Sequence, residues 1–220
     1  MRAILIGASG LTGGLLLDQL LHDPVFSKIK LIARRPLGIQ HVKLEEAIIN
    51  FEDEISFSRE ISNADVLFCC VGTTQKKVRG DLAAYRKIDF DIPVNAARFC
   101  AQQHMRSFLL VSSVGANAAS GNFYLRLKGE TEAAVLSQSI PSIYIMRPSM
   151  LLGNHPETRW GEVIGQPLMR FLSLFFVGGL SKYKAIHAKD VARAMLTAAK
   201  QTITGKFICE YDAIKKMSDV

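Results

Sequence analysis

The chain lacks any apolar run long enough to cross a bilayer. Its longest, over residues 168–180, is interrupted by Arg170, Ser173 and Gly178-Gly179 and falls short of the roughly 20 residues a spanning helix needs. No signal peptide is expected either, because Met1-Arg2-Ala3-Ile4-Leu5-Ile6 reads directly as a strand pattern. The four cysteines, Cys69, Cys70, Cys100 and Cys209, form neither a C-x-x-C pair nor a metal-ligand spacing, which excludes a disulfide framework and a structural zinc site. Free thiols and the strand-like start point to a reducing, cytoplasmic setting. Cys69 and Cys70 sit inside an apolar run and read as small buried hydrophobes. No block of Lys and Arg occurs, although the net charge is +7. The basic residues come as Arg34-Arg35, Lys76-Lys77 and Lys215-Lys216, without aromatics between them, which sets nucleic acid aside and favours a phosphate-bearing small molecule. No repeat, low-complexity tract or Pro/Ser-rich linker divides the 220 residues, so one domain over 1–220 is expected.

What the chain does have is alternation. Short apolar, β-branched runs over 3–6, 30–33, 47–50, 65–71, 107–112 and 142–146 read as strands, with helices expected over 13–21, 82–104, 124–137 and 188–200. Strands and helices in turn give right-handed crossovers and a mostly parallel sheet covered on both faces. The expected fold is therefore α/β, a doubly wound (Rossmann) sheet of order 3-2-1-4-5-6 with a further C-terminal strand over 206–210. Residues 153–183, rich in Gly, aromatics and Arg and poorly periodic, read as a small insertion covering the substrate at the carboxyl edge.

The first strand runs into Gly7-Ala8-Ser9-Gly10-Leu11-Thr12-Gly13. Three glycines at a strand-to-helix turn remove the Cβ atoms that keep a ligand from the backbone, and the helix that follows offers its unpaired N–H groups to an anion. Gly7, Ser9, Gly10, Leu11, Thr12 and Gly13 are the expected contacts to a dinucleotide pyrophosphate. The end of the second strand reads the ribose, an acid accepting from a 2′-hydroxyl or an arginine receiving a 2′-phosphate. Arg34 and Arg35 stand there, and no Asp or Glu occurs over residues 28–43, so the cofactor is expected to be NADP(H). At the end of the fourth strand Gly72, Thr73 and Thr74 supply a second contact: a close backbone approach and two hydroxyls.

Tyr124 and Lys128 are four apart on an expected helix, so both emerge on one face. An ammonium beside a phenol favours the phenolate and suits the tyrosine to exchange a proton at a carbonyl during hydride transfer. Ser112 and Ser113 end the fifth strand, and either is placed to orient that carbonyl. Pro148, after Arg147 at the sixth strand exit, presents backbone to the nicotinamide end. No carboxylate or histidine cluster suggests a metal. His187 reads as a packing or capping residue, His104 and His155 carry less, and the apolar stretch over 171–177 reads as core or substrate lid.

Together the glycine turn, Ser112-Ser113, Tyr124-x-x-x-Lys128, Arg147-Pro148 and the segment Ile186-His187-Ala188-Lys189-Asp190-Val191-Ala192 resemble an atypical or extended short-chain dehydrogenase/reductase. Cys69-Cys70-Val71-Gly72-Thr73-Thr74, Asn122-Phe123-Tyr124, Lys128-Gly129-Glu130 and Arg159-Trp160-Gly161-Glu162 resemble the Tat-interacting-protein type of NADPH-binding oxidoreductase. The resemblance implies NADP(H) bound by Gly7, Gly10, Gly13, Arg34, Arg35, Gly72 and Thr73. It further implies Tyr124 as acid/base, Lys128 beside the ribose, and a serine at 112 or 113. Two departures stand out. Extended members carry Asn where this chain has Asp89, and an ionised Asp accepts hydrogen bonds but cannot donate one in a proton relay. The segment after the sixth strand is short for a nucleotide-sugar site. The function expected is hydride transfer to or from a small carbonyl or alcohol. The alternative is a non-enzymatic NADPH-binding regulator acting through a protein partner, and a homodimer contact is left open.

Overall fold

The computed structural model describes residues 1–153 and 178–220. Its elements follow in chain order as β1 (Arg2–Ile6), α1 (Leu11–His22), β2 (Lys28–Ala33), β3 (Leu44–Ile48), α2 (Glu54–Glu60), β4 (Val66–Cys69) and α3 (Leu82–Arg86). A π-helical turn (Lys87–Asp91) leads into α4 (Ile92–Gln102), then β5 (Ser107–Val111), α5 (Phe123–Leu136), β6 (Ser142–Met146) and β7 (Leu151–Leu152). After a 3₁₀ segment (Gly178–Tyr183) come β8 (Ile186–His187), α6 (Ala188–Lys200), β9 (Gly205–Cys209) and α7 (Tyr211–Ser218). Seven strands pair in the order β3-β2-β1-β4-β5-β6-β9, every pair parallel. The expected order and the added C-terminal strand are thus what the fold has.

Period two splits each strand between two cores. In β1, Ala3 and Leu5 face α1, α6 and α7 among Leu16, Leu17, Leu20, Val191, Met195 and Ile214. Ile4 and Ile6 face the opposite layer, packed with Phe57 of α2, Ala96 and Phe99 of α4, and Val135 of α5. Burial on both faces is why these strands read as near-continuous apolar runs. β3 is the exception: it spans Leu44–Ile48, earlier than the sequence pattern suggests. It is the sheet's edge, and Glu45 sits among cations of the neighbouring strand, 2.7 Å from Lys28 and 4.0 Å from Lys30. A charged edge strand leaves no apolar stripe to read.

The long helix expected over 82–104 is a chain of three pieces: α3, the π turn and α4. Pro93 opens α4 and has no N–H to donate to the Asp89 carbonyl four residues back. That carbonyl accepts from Thr131 Oγ1 of α5 at 3.0 Å, so the irregularity clips two helices together and turns the Asp89 side chain inward.

α5 lies hard against the loop that leaves β5. A Cβ at Gly129 would stand 2.2 Å from the Ala118 nitrogen, closer than any side chain fits. Asn122 caps this helix, its side chain accepting from the Leu125 N–H. The expected insertion over 153–183 falls mostly on residues 154–177, outside the described residues, as do the apolar stretch 171–177, His155 and the Arg159–Glu162 motif; the one-domain expectation rests on the sequence alone.

Gly129→Ala should lower stability by about 2 kcal/mol or more. Gly121→Ala, where nothing lies within 4 Å, should stay within about 0.5 kcal/mol of wild type. Urea unfolding midpoints of the two variants check this.

Candidate functional site

The carboxyl ends of β1, β2, β4, β5 and β6 open onto a cavity of about 900 Å³. The turn after β1 forms its floor. Gly7 has φ +92°, and a Cβ there would lie 2.6 Å from the Cys70 carbonyl, so only glycine lets β1 pass the exit of β4. A Cβ on Gly10 would lie in ordinary contact with the Gly7 oxygen, 3.4 Å away, so the protein itself does not exclude a side chain there. Gly13 is different: a Cβ there would meet the Gly7 oxygen at 2.2 Å, and Gly13 does not line the cavity. It seats α1 on the strand, the close packing of helix against strand that its missing Cβ permits. α1 carries no side-chain cap and no acidic residue in its first turn. In contrast, Asp53, Asp81 and Asn122 cap α2, α3 and α5. The first N–H groups of α1 thus face the cavity with the positive end of the helix dipole behind them.

Ser9, Leu11 and Thr12 line the same cavity, with Arg34 and Arg35 at the β2 end and Gly72, Thr73 and Thr74 after β4. Ser112, Ser113, Tyr124, Lys128 and Pro148 line its other end. Residues from five strand exits and one helix are therefore brought together as the spacing implied. Both arginines are exposed, and neither has an ion pair among the described residues. His187 is exposed and stands at the α6 N-cap position without a capping bond from its side chain, so it neither packs nor caps.

The Tyr124 end is organised by buried charge. Tyr124 is 36% exposed, facing the cavity from the first turn of α5, with the Lys128 ammonium 6.0 Å from its ring centre. Lys128 is buried against Asp89, Nζ to Oδ1 2.9 Å, and the other Asp89 oxygen accepts from the Thr73 N–H at 2.8 Å. Burial works against the ammonium, but the carboxylate of Asp89 and the neighbouring Tyr124 outweigh it and hold Lys128 above its ordinary 10.5. Each Asp89 oxygen is thus engaged, Oδ1 by the ammonium and Oδ2 by the backbone N–H. Tyr85 completes the frame: its hydroxyl donates to the Thr73 carbonyl at 3.0 Å, and its ring meets Phe123 edge-on.

The two serines differ. Ser112 is buried and donates to Glu132 Oε1; Ser113 is half-buried, its hydroxyl tied to the Val114 carbonyl alone at 3.3 Å. Glu132 and Tyr85 were not singled out by the sequence. A third polar residue at i+8 from Tyr124 was the signal for the first; nothing local distinguishes the second. Burial disfavours the thiolate at every cysteine, pushing Cys69 and Cys100 up to about 12 and Cys209 to about 11 and raising Cys70 well above its ordinary value. Among the described residues no group of three His, Cys, Asp or Glu is placed to hold a metal, and no helix is long and apolar enough to cross a membrane.

A parallel sheet of this order with a glycine turn at β1 and a cavity at the carboxyl edge defines a dinucleotide-binding protein. The model of a family described as NAD(P)H-binding matches residues 7–202, and this chain belongs to that family. Protein HTATIP2 of Rattus norvegicus is 32% identical over 195 residues, 87% of this chain and 78% of its own length, which bears out the resemblance to the Tat-interacting-protein type. Protein FMP52, mitochondrial, of Candida albicans is 30% identical over 212 residues, 94% of this chain and 91% of its own. Among solved structures, MoeE5 in complex with UDP-glucose and NAD superposes with a TM-score of 0.72 at 16% identity, over 99% of this chain and 81% of that one. The Bordetella bronchiseptica enzyme WbmG in complex with NAD gives 0.69 at 14% identity, over 100% and 76%. The FMP52 relatives also correct one expectation. They are named mitochondrial, which overturns the cytoplasmic setting read from the cysteines: free thiols report a reducing environment and carry no address.

Lys128→Met leaves the Asp89 carboxylate buried without its cation and should cost about 3–5 kcal/mol. Adding Asp89→Asn should recover part of that loss. Because the folded pKa of Lys128 is raised, the pair's contribution is full below about pH 10.5 and is lost as pH climbs through the folded value. The gap between wild type and Lys128→Met should therefore narrow above that pH in urea unfolding series.

Proposed function

We propose that this protein is an NADPH-dependent oxidoreductase acting on a small carbonyl or alcohol. The observation that carries the proposal is that one cavity joins the glycine turn and the Arg34-Arg35 pair at one end to Tyr124, Lys128 and Ser113 at the other. The residues fit the cofactor: uncapped α1 N–H groups for the pyrophosphate, and at Gly10, which lines the cavity, a backbone without a side chain for its close approach.

The choice of NADPH over NADH rests on charge. Asp89 is the one carboxylate among the described residues lining the cavity, and it is engaged by Lys128 and Thr73. A 2′-hydroxyl would find no acidic acceptor at the β2 end; a 2′-phosphate would find two guanidinium groups able to bind it in bidentate fashion.

When bound, NADPH supplies the hydride that reduces a carbonyl carbon. Tyr124 gives the carbonyl oxygen its proton, so hydride and proton together make the alcohol, and in reverse it takes that proton back. Ser113, with a weakly engaged hydroxyl at the cavity wall, orients the oxygen. Lys128 holds a fixed positive charge beside the tyrosine and would hold the ribose hydroxyls of a bound cofactor.

A panel of carbonyl substrates with NADPH tests the assignment. Tyr124→Phe should lower kcat/KM by about 10²-fold or more, and equal turnover in that variant would sink Tyr124 as the acid/base. NADPH should raise Tm more than NADH at equal concentration. Arg34→Ala/Arg35→Ala should weaken NADPH by about 10- to 100-fold, the loss of a charge-assisted contact, and leave NADH unchanged. Loss of both nucleotides in equal measure would contradict the 2′-phosphate assignment.

A further inference from the structure

Tyr124, Lys128 and Glu132 occupy positions i, i+4 and i+8 of α5, one face of the helix. The first two face the cavity; the third is buried behind it, 2% exposed. Glu132 meets groups from two strand exits at once. Ser112, just past the end of β5, donates its hydroxyl to Oε1. Arg147, just past the end of β6, donates from Nε to both carboxylate oxygens at 3.0 and 3.1 Å, and from Nη2 to Oε2. The pairing raises Arg147 above its ordinary value, the Glu132 hydrogen bonds outweighing burial, with Glu210 adding 3.9 Å from Nη1.

The next residue along each strand lines the cavity, Ser113 after Ser112, which lines it too, and Pro148 after Arg147, which does not. The two exits are also zipped by backbone, Ser112 N–H to the Met146 carbonyl at 2.7 Å and Val114 N–H to the Pro148 carbonyl at 2.9 Å. Glu132 is the side chain that ties this zipper to the helix bearing Tyr124.

We propose that Glu132 is a positioning residue for the nicotinamide end of the cavity: through Ser112 and Arg147 it fixes Ser113 and the Pro148 backbone relative to Tyr124. The inference rests on the cofactor reading of the cavity but not on any turnover. The glycine turn and the Arg34-Arg35 pair lie on other elements, so the phosphate and adenine end is independent of Glu132.

The test compares two ligands of the purified full chain. NADPH engages both ends of the cavity; 2′,5′-ADP engages the phosphate end alone. Glu132→Ala should raise the Kd of NADPH by about tenfold and leave that of 2′,5′-ADP within about twofold. A uniform structural defect would weaken both equally, and that result, or an unchanged ratio, overturns the proposal. If the lone Arg147 charge prevents Glu132→Ala from folding, Glu132→Leu/Arg147→Leu leaves no unpaired buried charge, only the Ser112 hydroxyl without its acceptor, and should shift the same ratio; an unshifted ratio there is equally fatal. Wild-type protein that binds neither ligand removes the cofactor reading and this inference together. Wild type that binds both, with the ratio shifted in the variant, sustains the inference even if no carbonyl in the panel turns over.

Discussion

All seven strands of the sheet run the same way, and every feature of the site follows from that constraint. Parallel strands put all their exits on one edge, where the chain leaves the ladder and backbone groups are free to meet a ligand. Residues as distant in sequence as Gly7, Arg34, Gly72, Ser113 and Pro148 then share one cavity wall. The requirement is strict at Gly7, where β1 must turn beneath the β4 exit with a backbone no side chain tolerates.

Aligned exits alone would leave the cavity loosely defined, because loops past a sheet edge have few partners. Here they are held by buried charge. Asp89 ties the β4 exit to α5 through Thr73 and Lys128; Glu132 ties the β5 and β6 exits to the same helix through Ser112 and Arg147. Buried ion pairs are poor sources of net stability, since desolvation offsets most of the attraction. Their geometry is their value: each needs its partners within a few tenths of an ångström, and a displaced helix would strand a charge in the core. One helix face thereby sets the positions of three strand exits.

The fold was legible because strands buried on both faces print themselves as apolar runs, and the glycine turn was legible because its constraints are local. Tyr124 and Lys128 were legible from their spacing. What escaped depends on contacts far apart in sequence. Glu132 was not singled out, and Arg147 was noted only as part of the sixth strand exit; their pairing needs β6 and α5 to be brought together. α2 buries only Phe57, too little for a periodic stripe, and β3 hides its strand character behind Glu45 and Glu46. The break between α3 and α4 had a visible cue in Pro93, but the cue says only that a bond is missing and not that Thr131 takes the carbonyl. Asp89 was visible as a departure from the related pattern; that one of its oxygens pairs with Lys128 and the other accepts from the Thr73 N–H required the loop after β4 to be in place.

The two ends of the cavity use opposite electrostatic strategies, and the difference has a physical reason. At the phosphate end the positive groups, the α1 N-terminus and Arg34-Arg35, have no counter-charge of their own among the described residues; two of the other α helices have an aspartate at the same cap position, and α1 has a glycine. Under the proposed reading the ligand is the cap, and an acidic side chain there would compete with it for the same N–H groups. At the chemical end the cation is paired within the protein before any ligand arrives. An unpaired ammonium buried beside the tyrosine would lose its proton or draw in a stray anion, whereas Asp89 keeps it charged and still. Open charge suits a site whose task is to bind, and compensated charge suits one whose task is to keep a fixed field while a proton moves across it.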